Sequence, residues 1–257
     1  TCCNITDQRN SGDLMKNAIT IKDVLKNDFI AVKQMIQDPA YYIEKYRNMS
    51  DELVWDSPII SPVKNQMRCG SCWAFSSTGA IESNMRLNNY SVDRLSEQEL
   101  VDCSLENHGC SGGLMHLAFD YCIENNGLTC DKDYNYTAKT SICRVGCNAT
   151  DIDKPKKMEG SNRQDYKFMI PRSVIDIKAS LKRGPVSIAL DASRFEFRFY
   201  SEGVIDIKPT NTSRLNHAVL LTGYATYENG SYWIIQNSWG EQWGDNGYAK
   251  IKIQNGE

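Results

Sequence analysis

An α+β fold of two lobes is what the sequence predicts, and three observations predict it. The chain has 257 residues, enough for one large domain or two small ones. Apolar residues recur at helical spacing through the first hundred or so positions. Past residue 184 the pattern changes to short β-rich runs separated by Gly and Asn. Helices followed by strands, rather than strand and helix in alternation, argue for α+β.

Each element has its own reason. Ile19, Ile21, Val24, Leu25, Phe29, Val32, Met35 and Ile36 lie on one helical face, and Asp38-Pro39 ends the pattern. This reads as a packed amphipathic helix rather than a membrane or partner helix. Ser57-Pro58 and Ser61-Pro62 read as extended or turn segments. A long central helix starts at Ser71, with Trp73, Phe75, Ile81, Met85 and Leu87 on it. Ser96 and Glu99 stand at the spacing of a capping box and open a short helix. The predicted strands are 186–190, 203–205, 217–221, 232–235 and 248–253.

Composition excludes several classes. With 41% hydrophobic, 10% aromatic and 24% charged residues the chain can bury a core, so disorder and collagen are out. A formal net charge of -3 offers no basic patch for nucleic acid or anionic membrane. The longest clean apolar stretch, Ala218–Leu221, is far short of the roughly 20 residues of a membrane span. Thr1 in place of Met, with no charged-then-apolar leader, suggests that any signal peptide has been removed.

Ten cysteines are too many for an ordinary cytosolic enzyme. Glycosylation acceptor patterns occur at Asn4, Asn48, Asn89, Asn135, Asn148, Asn211 and Asn229, where the Asn, Ser and Thr content predicts about three by chance. Both counts point to the secretory pathway, either a lysosome-like acidic compartment or the outside of the cell.

Chemistry concentrates in three short blocks: Gln66-Met67-Arg68-Cys69-Gly70-Ser71-Cys72-Trp73, Leu215-Asn216-His217-Ala218-Val219 and Gln236-Asn237-Ser238-Trp239-Gly240. A bare C-x-x-C leaves redox and zinc chemistry open. A zinc site needs a further Cys/His pair at ligand spacing, and none stands near His108, His116 or His217. A thioredoxin-like motif needs a preceding strand, where this chain has prolines. Cys72 stands where a helix begins, so the positive helix end favours a thiolate there. His217 is the one histidine in an apolar β-rich run.

On these blocks the chain, over residues 51–257, resembles the papain family of cysteine proteases, whose Cys-Gly-Ser-Cys-Trp signature is a documented one. Leu95–Asp102 and Gly109–Met115 resemble cathepsin L-type enzymes, and Leu128–Tyr134 with Cys143 and Cys147 is similar to the falcipain-like branch. The resemblance implies a helical N-terminal lobe and a β-barrel-like C-terminal lobe with the active-site cleft between them. It implies Cys72 as nucleophile, His217 as acid and base, Asn237 orienting the imidazole, and Trp239 shielding that contact beside the leaving group. Gln66, six residues before Cys72, and the Cys72 N–H would form the oxyanion hole. The expected product is a cysteine endopeptidase acting on protein or peptide substrates, with no metal or organic cofactor. A thiolate–imidazolium pair would lower the thiol pKa, raise the imidazole pKa and give a bell-shaped pH profile with a mildly acidic optimum.

For substrate binding the resemblance implies Gly70, Gly112 and Gly113 where the substrate backbone approaches. It implies Leu114, Met115, Ala189, Leu215 and Ala218 around the side chain two before the cut, hence an apolar preference. By the same analogy Cys69 pairs with Cys110, Cys103 with Cys143 and Cys130 with Cys147, while Cys2 or Cys3 bonds Cys122. Residues 1–50 are an N-terminal extension or prosegment remnant, although the interspersed Glu-Arg-Phe-Asn pattern of inhibitory prosegments is not visible in them. Two other readings stay open: a dipeptide-releasing exopeptidase whose extension limits the cleft, and an inactive binding module, against which the intact Cys72 argues. The expected partners besides substrate are inhibitors of the cystatin type, and the expected state is a monomer.

Overall fold

In the computed structural model residues 50–145, 157–158, 161, 166–169, 172–208, 210 and 213–254 are described. The predicted helix at 19–36, Cys2, Cys3, Cys147, Asn4, Asn48, Asn148 and Asn211 lie outside them. The chain opens with a two-residue strand β1 (Leu53–Val54), then the helix α1 (Cys72–Leu87). Next come α2 (Glu97–Cys103), a 3-10 turn at Gly109–Ser111 and α3 (Met115–Glu124). The second half holds α4 (Val174–Leu181), β2 (Val186–Leu190), the single turn α5 (Phe195–Arg198) and β3 (Val204–Ile205). It closes with β4 (His217–Tyr227), β5 (Gly230–Gln236) and β6 (Tyr248–Lys252).

Two separate cores form, as two lobes require. The first gathers Trp73, Ile81 and Met85 of α1 with Leu95, Leu100, Ala118, Leu128 and Tyr134. The second gathers Leu181, Phe197, Tyr200, Val219, Leu221, Tyr224, Ile235 and Ala249 around the sheet. That sheet runs β1-β4-β5-β6-β3, and β2 also pairs with β4. β4 can serve three partners because it is 11 residues long and its register with β5 shifts between Leu221 and Gly223. β2 takes its first half and β1 its second. β1, which the sequence pattern does not signal, thus belongs to the sheet of the other lobe, and Trp55 packs into that core.

The lobes meet where α1 runs along β4. Ser76 Oγ donates to the Val219 carbonyl at 2.7 Å, and Gly79 lies under Leu220, whose Cδ2 would stand 3.2 Å from a Cβ there. Below α1 the chain buries charge. Lys64 Nζ donates to Glu82 Oε1 at 2.7 Å and to Glu97 Oε1 at 2.6 Å, and both carboxylates are shut off from solvent. Burial works against the Lys64 charge, but the two carboxylates outweigh it and hold the ammonium above its ordinary pKa.

The capping box forms only in part. Ser96 Oγ accepts from Glu99 N at 2.9 Å, as the spacing predicts. The Glu99 carboxylate, however, does not return to the cap. It accepts from Thr129 N at 2.8 Å, Thr129 Oγ1 at 2.7 Å and Tyr121 Oη at 2.9 Å, and from Lys157. The Ser96 N–H is taken instead by the Thr129 carbonyl at 2.9 Å. A long-range bridge that sequence spacing does not encode has displaced the local one.

Disulfides join Cys69 to Cys110 and Cys103 to Cys143. Cys122 and Cys130 are buried and form no disulfide among the described residues, with Cys130 Sγ 2.9 Å from Met158 Sδ. The expected partners of these two thiols, Cys147 and Cys2 or Cys3, lie outside the described residues. Asn89, Asn135 and Asn229 are all exposed.

Candidate active site

Cys72 is the first residue of the 16-residue helix α1, and Ser71 is its N-cap. Three backbone N–H groups serve its sulfur, those of Ala218, Trp73 and Cys72 itself. Ala218 follows His217 at the start of β4, so the α1–β4 contact that joins the lobes brings the Cys72 sulfur to the residue next to His217. Cys72 is half-buried and His217 buried.

His217 Nε2 lies 2.7 Å from Asn237 Oδ1. The same oxygen accepts the Ser238 N–H at 2.8 Å, which identifies it as the oxygen of the amide. An oxygen can only accept, so Nε2 carries a proton and Nδ1 is the nitrogen left for chemistry. Asn237 Nδ2 is buried without a hydrogen-bond partner. Trp239 lies 4.7 Å from the imidazole, centroid to centroid, and Phe197 packs edge-on to Trp239 at 5.6 Å. This aromatic wall closes one side of the His–Asn contact.

Gln66 is buried and held at four points. Its N–H donates to the Ser238 carbonyl at 2.8 Å, and its Oε1 accepts from Ser238 Oγ at 2.7 Å. Its carbonyl accepts from Tyr136 Oη at 2.8 Å, and its Nε2 donates to the Cys69 carbonyl at 2.8 Å. An amide nitrogen has two N–H bonds, so one remains beyond the bond to Cys69. The short loop from Lys64 to Gln66 is also tied to the other lobe, through Gly240 N to Lys64 O at 3.0 Å and a bridge between Asn65 and Trp239.

Electrostatics departs from the expected directions. Burial pushes the Cys72 thiol up, and the three backbone donors recover only part of that. Burial pushes the His217 imidazole down, with the Asn237 hydrogen bond opposing. Each group by itself is therefore driven toward neutrality, contrary to a lowered thiol and a raised imidazole. Low-dielectric surroundings penalise single charges but strengthen attraction between opposite ones. An ionic pair of the two would therefore have to gain more from mutual attraction than burial costs each.

The two glycines of the Gly112-Gly113 pair differ in their surroundings. A Cβ on Gly113 would lie 2.5 Å from Asn107 Oδ1 and 2.7 Å from the Trp73 ring, so this glycine makes room for the protein's own core. Gly112 fits the substrate reading better: it has open space and a φ of +117°, which side chains rarely adopt. Gly70 donates to the Cys110 carbonyl at 2.8 Å beside the disulfide. Of the side chains expected around the residue two before the cut, Leu114 and Leu215 are exposed, Met115 and Ala189 half-buried, and Ala218 buried. Sequence reading missed Ser238, Tyr136 and Phe197. Ser238 had a signal, its place between Asn237 and Trp239, whereas Tyr136 reaches Gln66 across 70 positions.

Residues 49–257 match the family described as papain family cysteine protease. The chain is 40% identical to digestive cysteine proteinase 3 of Homarus americanus over 206 residues, covering 79% of this chain and 61% of that protein. It is 41% identical to mouse cathepsin K over 193 residues (75% of this chain, 56% of that protein). It is 41% identical to human cathepsin L2 over 201 residues (75% and 57%). The chain thus spans about three fifths of the length of these curated relatives.

Proposed function

Since the chain belongs to the papain family of cysteine proteases, we propose that it is an endopeptidase cleaving peptide bonds through an acyl-enzyme on Cys72. The observation that carries this reading is the hydrogen-bonded sequence Asn237–His217, joined through the Ala218 amide to a cysteine at the head of α1.

The reaction follows from the groups present. The Cys72 proton passes to His217, and the sulfur attacks the scissile carbonyl carbon. The oxyanion that forms accepts from the Cys72 N–H and from the uncommitted Gln66 N–H, a contribution of roughly 3–4 kcal/mol per donor at comparable sites. His217 gives its proton to the leaving amine as the C–N bond breaks. It then takes a proton from water, which hydrolyses the thioester and restores the thiol. Asn237 holds the ring in plane throughout, and Trp239 with Phe197 keeps water from that hydrogen bond.

The apolar faces of Leu114, Met115 and Ala189 support a Leu, Val or Phe preference two residues before the cut. The Leu128–Tyr134 stretch supports the falcipain-like branch. Free, exposed sequons and the two disulfides suit a secretory, acidic compartment, and no helix among the described residues is long and apolar enough to cross a membrane. The test is labelling with an epoxide thiol probe and peptide mapping, alongside hydrolysis by Cys72→Ala. Label on Cys72 and loss of hydrolysis in the folded variant are expected; hydrolysis within tenfold of wild type would refute the nucleophile.

A further inference from the structure

A cavity of about 240 Å³ opens beside the imidazole, lined by Ala192, Ser193, Arg198, Asn216, His217 and Trp239. His217 protonates the leaving amine in the reaction above, so the residue after the scissile bond must lie against His217. This cavity, sharing both His217 and Trp239, is where its side chain goes.

Among the six lining residues Arg198 carries the only permanent charge. It ends α5, and its backbone is fixed from both directions: its N–H donates to Arg194 O at 3.0 Å and its carbonyl accepts from Trp243 Nε1 at 3.2 Å. Phe197 beside it is fully buried and packs on Trp243 at 5.0 Å. The Arg198 side chain is exposed, and no carboxylate among the described residues lies within ion-pairing distance of it. Neither nearby acid pairs with it, although the Asp191 carboxylate keeps its charge beside the cavity, a charge that Arg198 has to outweigh. Glu196 faces Arg194 at 3.8 Å. Asp191 Oδ1 accepts from Ser193 N at 3.0 Å and Asn216 Nδ2 at 3.2 Å, and those hydrogen bonds, Ser193 first, hold its carboxyl below the usual range. Asn216 is spent as well, its Oδ1 accepting from Ala192 N at 2.8 Å. Arg198, exposed and without an ion pair among the described residues, therefore lines a cavity whose Ser193 and Asn216 side chains are already paired.

We propose that Arg198 makes this cavity select a carboxylate side chain, Asp or Glu, on the residue immediately after the cut. This rests on the peptidase reading, and the test separates the two. Quenched fluorogenic peptides, identical except for Glu, Gln or Lys at that position and amidated several residues further on, are compared by kcat/KM. Wild type should favour Glu over Gln by roughly two- to fivefold, the scale of a partly exposed ion pair, and the preference should shrink as salt is raised. The Glu/Gln ratio should fall to about one in Arg198→Gln, and Arg198→Glu should favour Lys. Cleavage with no Glu preference in wild type, or a preference that survives Arg198→Gln, overturns the subsite and leaves the peptidase standing. A preference that appears only when the peptide ends there with a free carboxyl group overturns the side-chain assignment. No cleavage of any peptide, with no labelling of Cys72, overturns both.

Discussion

Replacing Asn237 by Ala should move the alkaline limb of the activity profile toward lower pH. The hydrogen bond from His217 Nε2 to Asn237 Oδ1 is 2.7 Å long, and both residues are buried, at 6% and 3% exposure. It raises the imidazole pKa against burial, which lowers it. Nε2 donates whether the ring is neutral or cationic, so the shift reflects only the extra strength of the charged bond. Hydrogen bonds to charged groups contribute about 1.5–3 kcal/mol and neutral ones about 0.5–1.5, a difference of about 1–1.5 kcal/mol. At about 1.4 kcal/mol per pH unit the limb falls by about one unit. With an ionic resting pair the alkaline limb is the loss of the imidazolium proton, so activity should fade earlier as pH rises, with a reduced but measurable maximum because the ring is no longer oriented. Asn237→Asp supplies the opposite sign. It is isosteric, and the Nδ2 it removes has no partner to lose. A carboxylate there favours the imidazolium and moves the limb up. The assay is kcat/KM against pH for all three proteins on one peptide amide. Two limbs that stay with wild type, or that move in the same direction, would refute the electrostatic role of Asn237.

In His217→Ala the thiol keeps burial and its backbone donors, whose balance is upward, so alkylation by iodoacetamide should show a single rise above the ordinary thiol value of about 8.5. Wild type should alkylate rapidly below about pH 6 if the pair is ionic, and coincident wild-type and variant profiles would exclude the pair. Lys64→Met leaves Glu82 and Glu97 buried without their cation and should cost about 3–5 kcal/mol in denaturant unfolding. An unchanged midpoint would mean that the carboxylates are already neutral. Gly113→Ala should cost about 1–3 kcal/mol of stability through overpacking against Trp73 and Asn107, with little change in KM. A raised KM at unchanged stability would return Gly113 to the substrate path.

Local chemistry was legible in the sequence because short-range patterns encode it. The start of α1 after Ser71, the Ser96 cap on α2 and the short β-rich runs of β2, β5 and β6 depend on neighbours within a few positions. The order Gln66, Cys72, His217, Asn237 was readable because each residue sits inside its own motif. β1 was not, since two residues carry no periodicity and acquire strand character only by pairing with Tyr224 and Gly223. Nor was α4, a helix of eight residues whose Ser173 cap is an ordinary Ser until Asp176 N reaches it.

What the sequence determined by itself is the set of reacting groups and the mixed helix–strand character of the chain. Tertiary structure decided how those groups behave. It turned the Glu99 carboxylate from its local cap to Thr129, gave Gly113 to the core, and held Gln66 through Ser238 and Tyr136. It also half-buried Cys72 and buried His217, which pushes each toward its neutral form, and put Arg198 on the cavity beside the imidazole. The physical reason is the same in each case. Residue type fixes what a group can donate, accept or release, whereas desolvation and long-range partners, which arise only when distant segments pack, fix the free energy at which it does so.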